Sequence, residues 1–254
     1  MSAAVAVLSS TASDLRREAP DIETSSEAYV KRFAGPVGAW FLRVQEQAVL
    51  HLLSMYPAAT ILEVGGGHGQ LTGALVSCGY GVTVFGSDKR CMQRIRGLVE
   101  SRRCRFVTGD LLHLPYTDRA FDVVISLRLL PHMEAWPALI GELSRVARRA
   151  VIVDYPTVRS LNCLSPMLFP AKRLAEGDTR FYRNFHDSEV AGEFGRRGFI
   201  SRQRLPQFFW PMVLHRVLGR PGVSAGLERV ARIAQLIRWF GSPVIASFTR
   251  GAAA

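Results

Sequence analysis

The chain has 254 residues, 48% of them apolar, and a formal net charge of +11 at pH 7. That length and apolar content suffice for one domain with its own core, and no apolar run approaches the ~20 residues that span a bilayer. Cys78, Cys91, Cys104 and Cys163 are scattered without a C-x-x-C pair, which argues against a zinc site or a disulfide framework and fits a reduced, cytoplasmic protein.

Residues 1–24 are small and polar, lack the basic n-region of a signal peptide, and are expected to be disordered. Ser26 to Tyr56 predict two amphipathic helices broken at Gly35-Pro36, with Tyr29, Phe33 and Trp40 among their apolar positions; they make a helical cap over 25–58. The most informative stretch follows, Ile61-Leu-Glu-Val-Gly-Gly-Gly-His-Gly-Gln-Leu-Thr72. Ile61, Leu62 and Val64 predict a buried parallel strand, and a helical pattern begins after Gly69. Gly65, Gly66, Gly67 and Gly69 predict a turn where some residues need positive φ and a ligand lies on the backbone. Such a turn aims amide N–H groups from a helix N-terminus, a generic nucleotide-type site. Glu63, just ahead of it, suits a ligand with an ammonium or sulfonium better than one with phosphates. The dinucleotide fingerprint fails, since it needs glycine at Gln70 or Thr72, and the G-x-x-x-x-G-K-[ST] phosphate loop is absent.

Strands and helices then alternate: strand 82–86 closed by Gly86-Ser87-Asp88, helix 89–101, strand 104–108 leading into Gly109-Asp110-Leu111, and strand 121–126 continuing as Leu127-Arg-Leu-Leu-Pro-His132. Taken in this order, the acid plus G-x-G-x-G at 63–69 and the three later segments resemble the class I S-adenosylmethionine-dependent methyltransferases. The resemblance is closest to the broad methyltransferase type 11 group, which includes ubiquinone- and menaquinone-type enzymes. It implies an α/β fold with a Rossmann-like, seven-stranded, mostly parallel sheet and helices on both faces. It also implies S-adenosylmethionine as cofactor, bound at Tyr29, Glu63, Gly65, Gly66, Gly67, Gly69, Asp88, Asp110, Leu111 and Leu127. In that family an acid after the second strand takes the ribose hydroxyls, which falls to Asp88. An acid after the third takes the adenine amino group beside an apolar contact, which falls to Asp110 and Leu111. Asp88 also reads as a helix cap for the residues from Lys89, a role compatible with the first, and Tyr29 as plain packing. His132 is the best-placed base for a carbon or hydroxyl acceptor, with His186 and Tyr182 behind it; its other reading is a pocket wall. His68 is expected to face solvent or the methionine end of the cofactor. Asp154 alone makes no carboxylate cluster, so no metal is expected.

Beyond helix 134–148 and strand 150–155, residues 156–185 form a long irregular stretch that reads as a lid segment. A capped helix starts at Phe185-His-Asp-Ser-Glu189, strand six covers Phe199–Leu205, and strand seven is expected at Pro243–Phe248. The insertion between them, 207–241, contains a predicted helix 227–239 with Val230, Ile233, Leu236 and Ile237 on one face. It reads as a packed helical cap, a dimer contact, or a hydrophobic lid over the acceptor. Residues 200–254 hold eight arginines against the single acid Glu228, +7 of the total charge. That is either a solvated surface or a face for an anionic membrane or acidic substrate. Nucleic acid is disfavoured, because the chain lacks the Asn/Asp-Pro-Pro-Tyr motif of base-amine methylation. The expected function is methyl transfer by in-line displacement to a small-molecule or lipid-like acceptor, in a cytoplasmic protein that meets a membrane surface peripherally. The alternatives are a cofactor-binding module without catalysis and a nicotinamide-dependent oxidoreductase.

Overall fold

The computed structural model describes residues 18–161 and 181–251. Seven apolar runs become β1 Thr60–Val64, β2 Gly81–Gly86, β3 Arg105–Thr108, β4 Phe121–Ser126, β5 Ala147–Tyr155, β6 Phe199–Phe208 and β7 Ser242–Arg250. They lie in the order β3-β2-β1-β4-β5-β7-β6. The first five run parallel, and β7 is antiparallel to both β5 and β6. This is the seven-stranded, mostly parallel sheet that the sequence predicts.

The central strands are continuously apolar because both faces are covered. On one face Ile61, Val123 and Ile152 pack with Val49 and Leu53 of α3 (Gly35–Leu53) and Leu71 and Leu75 of α4 (Gln70–Ser77). On the other, Leu62, Val124 and Val153 pack with Leu139 and Leu143 of α6 (Trp136–Val146) and Phe194 of α7 (Asp187–Arg196). Burying each such side chain contributes roughly 1.5–3 kcal/mol. The chain leaves β1 toward β2 and returns to β4 on its other side. That reversal opens a crevice outside the C-terminal strand ends, where open α/β sheets bind ligands.

Several elements differ from expectation. Residues 18–24 are not disordered: Asp21–Thr24 form a short helix, α1, with Asp21 buried, followed by α2 (Glu27–Lys31). Ser26 caps α2 by accepting from the Tyr29 amide. Helix 89–101 is instead a 3-10 segment, Lys89–Ile95, and a short α5, Arg96–Glu100, because the backbone breaks at Ile95 as its side chain enters the core. The insertion holds α8 (Met212–Leu218), α9 (Pro221–Ile233) and α10 (Leu236–Phe240), with the break at Gln235, whose φ is 60°. The apolar positions expected on one face of a single helix divide: Ile237 is buried, while Val230 and Ile233 face outward. The insertion packs on α3 and β6. The expectations for residues 1–17 and 162–180, including most of the long irregular stretch, lie outside the described residues.

Candidate active site

The turn after β1 is built as its glycines require. Gly65 and Gly69 have φ of 75° and 71°, and Gly66–His68 form one 3-10 turn between them; an L side chain at either φ is strained. The Gly65 amide donates to the Phe85 carbonyl at 2.8 Å, which ties the turn to the end of β2. A Cβ on Gly66 would strike the Glu63 carboxyl, and one on Gly67 would strike Ser25 and Cys91. Glu63 is thus the floor of the turn, and the N-terminal segment lies against its other side.

Glu63 accepts a hydrogen bond from the Thr72 hydroxyl at 2.7 Å, and burial pushes its carboxyl up to about 7. Asp21 anchors the N-terminal segment. Its carboxylate is buried and accepts from the Ser87 amide at 2.7 Å and the Ser87 hydroxyl at 2.5 Å, just past the end of β2. Tyr29 and Phe33 then meet the His68 ring edge-on, with centroids 5.8 and 5.6 Å away. His68 does not face solvent: both ring nitrogens are buried and have no protein partner. Burial, with the nearby charges of Arg128 and Arg94, holds its pKa down to about 3, so the ring is neutral.

Past β4, Arg128 adopts a φ of 59°, a strained region for a side chain of its size. Its amide donates to Asp154 Oδ1 at 2.5 Å. Its guanidinium donates to Gln45 at 2.6 Å and to Gln70, and lies 4.8 Å over the Phe33 ring. Burial raises the Asp154 carboxyl to about 6. Asp21, Gln45, Gln70, Arg128 and Asp154 were not among the expected cofactor residues. The only signal for Arg128 was a charge standing in the apolar run 127–131.

The other expected residues spread along the same strand ends. Asp88 caps the 3-10 segment through the Arg90 amide and pairs with the Arg90 guanidinium at 2.9 Å, with its side chain 36% exposed. Asp110 accepts from the Leu112 amide at 2.9 Å and lies 2.8 Å from His113 Nδ1. Leu111 is fully buried in the core on the α6 face, and Leu127 is half-buried against the opposite cluster. His132 closes a 3-10 turn, with Nδ1 3.2 Å from the Phe181 carbonyl and its ring 5.4 Å from Tyr182. Of the two cap candidates, His186 and Asp187, it is His186 that caps α7, with Glu189 accepting from its amide. The structure therefore gathers Tyr29, the glycine turn, His68 and Arg128 into one crevice. Asp88 and Asp110 stand at its outer strands, and His132 stands after β4. Among the described residues, no group of three or more His, Cys, Asp or Glu side chains could hold a metal ion.

Comparisons with known proteins bear on the fold. Residues 62–153 match the family model described as a methyltransferase domain. Over 182 residues the chain is 27% identical to the ribosomal RNA small subunit methyltransferase A of Mycobacterium leprae, covering 68% of this chain and 52% of that protein. The chain thus spans about half the length of the curated relatives it matches first. A 70-residue stretch is 36% identical to norajmaline N-methyltransferase of Rauvolfia serpentina, 26% of this chain and 23% of that one. Among solved structures, magnesium protoporphyrin IX methyltransferase of Synechocystis with bound SAH superposes with a TM-score of 0.61 at 16% identity, covering 90% of this chain and 97% of that one. Segment 62–153 thus matches the methyltransferase-domain model, and the fold around it is one shared with solved S-adenosylmethionine-dependent methyltransferases.

Proposed function

We propose that the protein transfers a methyl group from S-adenosylmethionine to a small-molecule or lipid-like acceptor. The observation that carries this reading is the left-handed glycine turn at 65–69, opening onto Arg128 and His68 at the β1–β4 reversal. The residues present suit such a donor. The Arg128 guanidinium is bonded to neutral amide oxygens, so it retains its charge for a carboxylate. The buried His68 nitrogens lack partners that a polar ligand can supply. Asp110 and Leu111 would hold the adenine, Asp88 the ribose, and Tyr29 and Leu127 the wall of the crevice.

When bound, S-adenosylmethionine supplies a sulfonium methyl that an acceptor atom takes in line while sulfur keeps the bonding pair. The chain's task is alignment and dryness; holding two reactants in line is worth about 7–11 kcal/mol. Tyr29 and Phe33 exclude water from the glycine turn. His132 takes the acceptor's proton. The tautomer in which its Nδ1–H donates to the Phe181 carbonyl puts the lone pair on Nε2.

The relatives named as ribosomal RNA methyltransferases raise a second acceptor class, RNA. The absence of a base-amine motif in the segment following β4, Ser126-Leu-Arg-Leu, favours the small-molecule class. The basic C-terminal residues 200–254 suit a peripheral contact with an anionic membrane in the cytoplasm. Titration calorimetry with S-adenosylhomocysteine and with NADH tests the cofactor: heat from NADH alone would leave the oxidoreductase alternative standing. Incubation with labelled donor and separated RNA, lipid and small-molecule fractions tests the acceptor. Label in RNA alone would replace the acceptor proposed here, and label in none would leave a binding module.

A further inference from the structure

Helix α9 is built inside out. Its inward positions are Ser224, Glu228 and Ala231, and its outward ones include Val230 and Ile233, 66% and 74% exposed. The inward choice has a local cause. Glu228 accepts from the Phe209 and Trp210 amides at 2.9 and 3.0 Å and lies 2.8 Å from Nε2 of the fully buried His215. The insertion is thus fastened by a polar clasp, and the large side chains of Val223, Val230 and Ile233 on α9 stand outside its packing.

Those side chains form a stripe. Val223, Val230 and Ile233 are spaced by seven and three residues, which sets them on one side of the helix. Val217 precedes them, 78% exposed, and Trp239 and Phe240 follow, 53% and 41% exposed. An isolated outward valine needs no explanation, but six large apolar side chains stand exposed within 24 residues of one insertion. The charge around them is positive. Arg216, Arg220, Arg229, Arg232 and Arg238 are all exposed along the same segment. The only acid in residues 209–251, Glu228, is buried in the clasp. A second copy of this chain would bring five like charges against its own, whereas apolar residues among arginines, with an exposed tryptophan, suit the headgroup boundary of an anionic bilayer. No helix among the described residues is long and apolar enough to cross a membrane.

We propose that α9, with Val217 before it and Trp239 and Phe240 after it, is an interfacial docking surface that lies flat in an anionic lipid leaflet. It gives the membrane partner suggested above a definite surface. It rests on the exposed stripe and not on methyl transfer, so the two can fail separately.

The test is sedimentation of the full chain with vesicles, without donor or acceptor. The vesicles are phosphatidylcholine alone, or with about one-third phosphatidylglycerol to supply the negative surface. Binding is expected only to the anionic vesicles, with partial release by salt. Each Arg→Glu change at Arg229 or Arg232 should weaken it at least about fivefold. Val230→Asp with Ile233→Asp should weaken it more than about tenfold at every salt concentration. A blue shift in tryptophan fluorescence on vesicle binding should vanish in Trp239→Phe, a change mild enough to leave the fold intact. Equal heats with S-adenosylhomocysteine before and after these substitutions show that the crevice is untouched. Absence of binding to anionic vesicles at low salt overturns the proposal, as does unaltered binding by the Val230/Ile233 variant. So does a wild-type dimer in sedimentation equilibrium that the same variant converts to monomer, which would make the stripe a contact between copies.

Discussion

The crevice above the glycine turn and the insertion at 209–241 handle polar groups in opposite ways. In the crevice, charge points inward: Glu63, Asp154 and Arg128 are held beneath or beside the turn, each engaged by a neighbour. In the insertion one carboxylate is buried and every remaining charged side chain, all of them arginine, stands outside with the apolar stripe. Buried charge in the first region surrounds the glycine turn. In the second it serves only to fasten the element to the body. Polar burial alone therefore does not mark a site: buried atoms stand without a partner in both regions, the His68 ring nitrogens in the first and His215 Nδ1 and Ser224 Oγ in the second.

Four substitutions sharpen that contrast, beginning with the largest effect. If His132 removes the acceptor's proton, His132→Ala should lower kcat by about a hundredfold or more while calorimetry shows unchanged donor affinity; a loss in affinity with normal kcat would make it a pocket wall. Glu228→Leu should leave two amides and the His215 ring buried without an acceptor. The expected loss is on the order of 3 kcal/mol, visible as a lower Tm and rapid proteolysis within 209–241. Retention of wild-type stability would mean the clasp does not hold the insertion. Arg128→Met should weaken S-adenosylhomocysteine binding by roughly tenfold to a hundredfold, the scale of a lost charge-assisted bond, at little cost in Tm. Asp88→Ala should weaken the same ligand by about tenfold. Unchanged affinity there would move the ribose contact to Asp21, the other carboxylate beside the end of β2.

A pH series gives the smallest effect. Glu63 titrates near 7 in the folded chain against about 4.3 when unfolded. Between those values the folded state holds more protons, so Glu63 makes stability fall as pH rises toward 7. His68, held near 3, acts oppositely: below about 6.5 the unfolded chain gains protons that the folded one refuses. Glu63→Gln should flatten the decline of Tm between pH 5 and about 7.5 and leave the acid-side decline in place. A wild-type decline that persists in the variant would assign it to Asp154, whose carboxyl is raised to about 6.

Most of the fold was legible because buried parallel strands are apolar without interruption and glycines punctuate them; β1, β2 and β4 fall within a residue of their expected bounds. The glycine turn was legible for the same reason, since few other sequences allow two left-handed residues four apart. Arg128, Gln45 and Asp21 were not, because their partners lie 83 and 66 residues away and no local pattern reports them. Whether the apolar side of the helix in the insertion is packed or outward was not legible in the sequence. Helical periodicity shows that apolar residues share a side, but not what that side meets.

The Asp21–Ser87 link also bears on how the molecule comes to exist. Residues 18–33 leave the ribosome before any of the sheet, yet the hydroxyl and amide that anchor them arrive 66 residues later. The wall that seals the crevice is synthesised first and settles late. During translation the glycine turn stands uncovered until β2 has been made and added to β1, and a nascent chain stalled before Ser87 has nowhere to fasten residues 18–33.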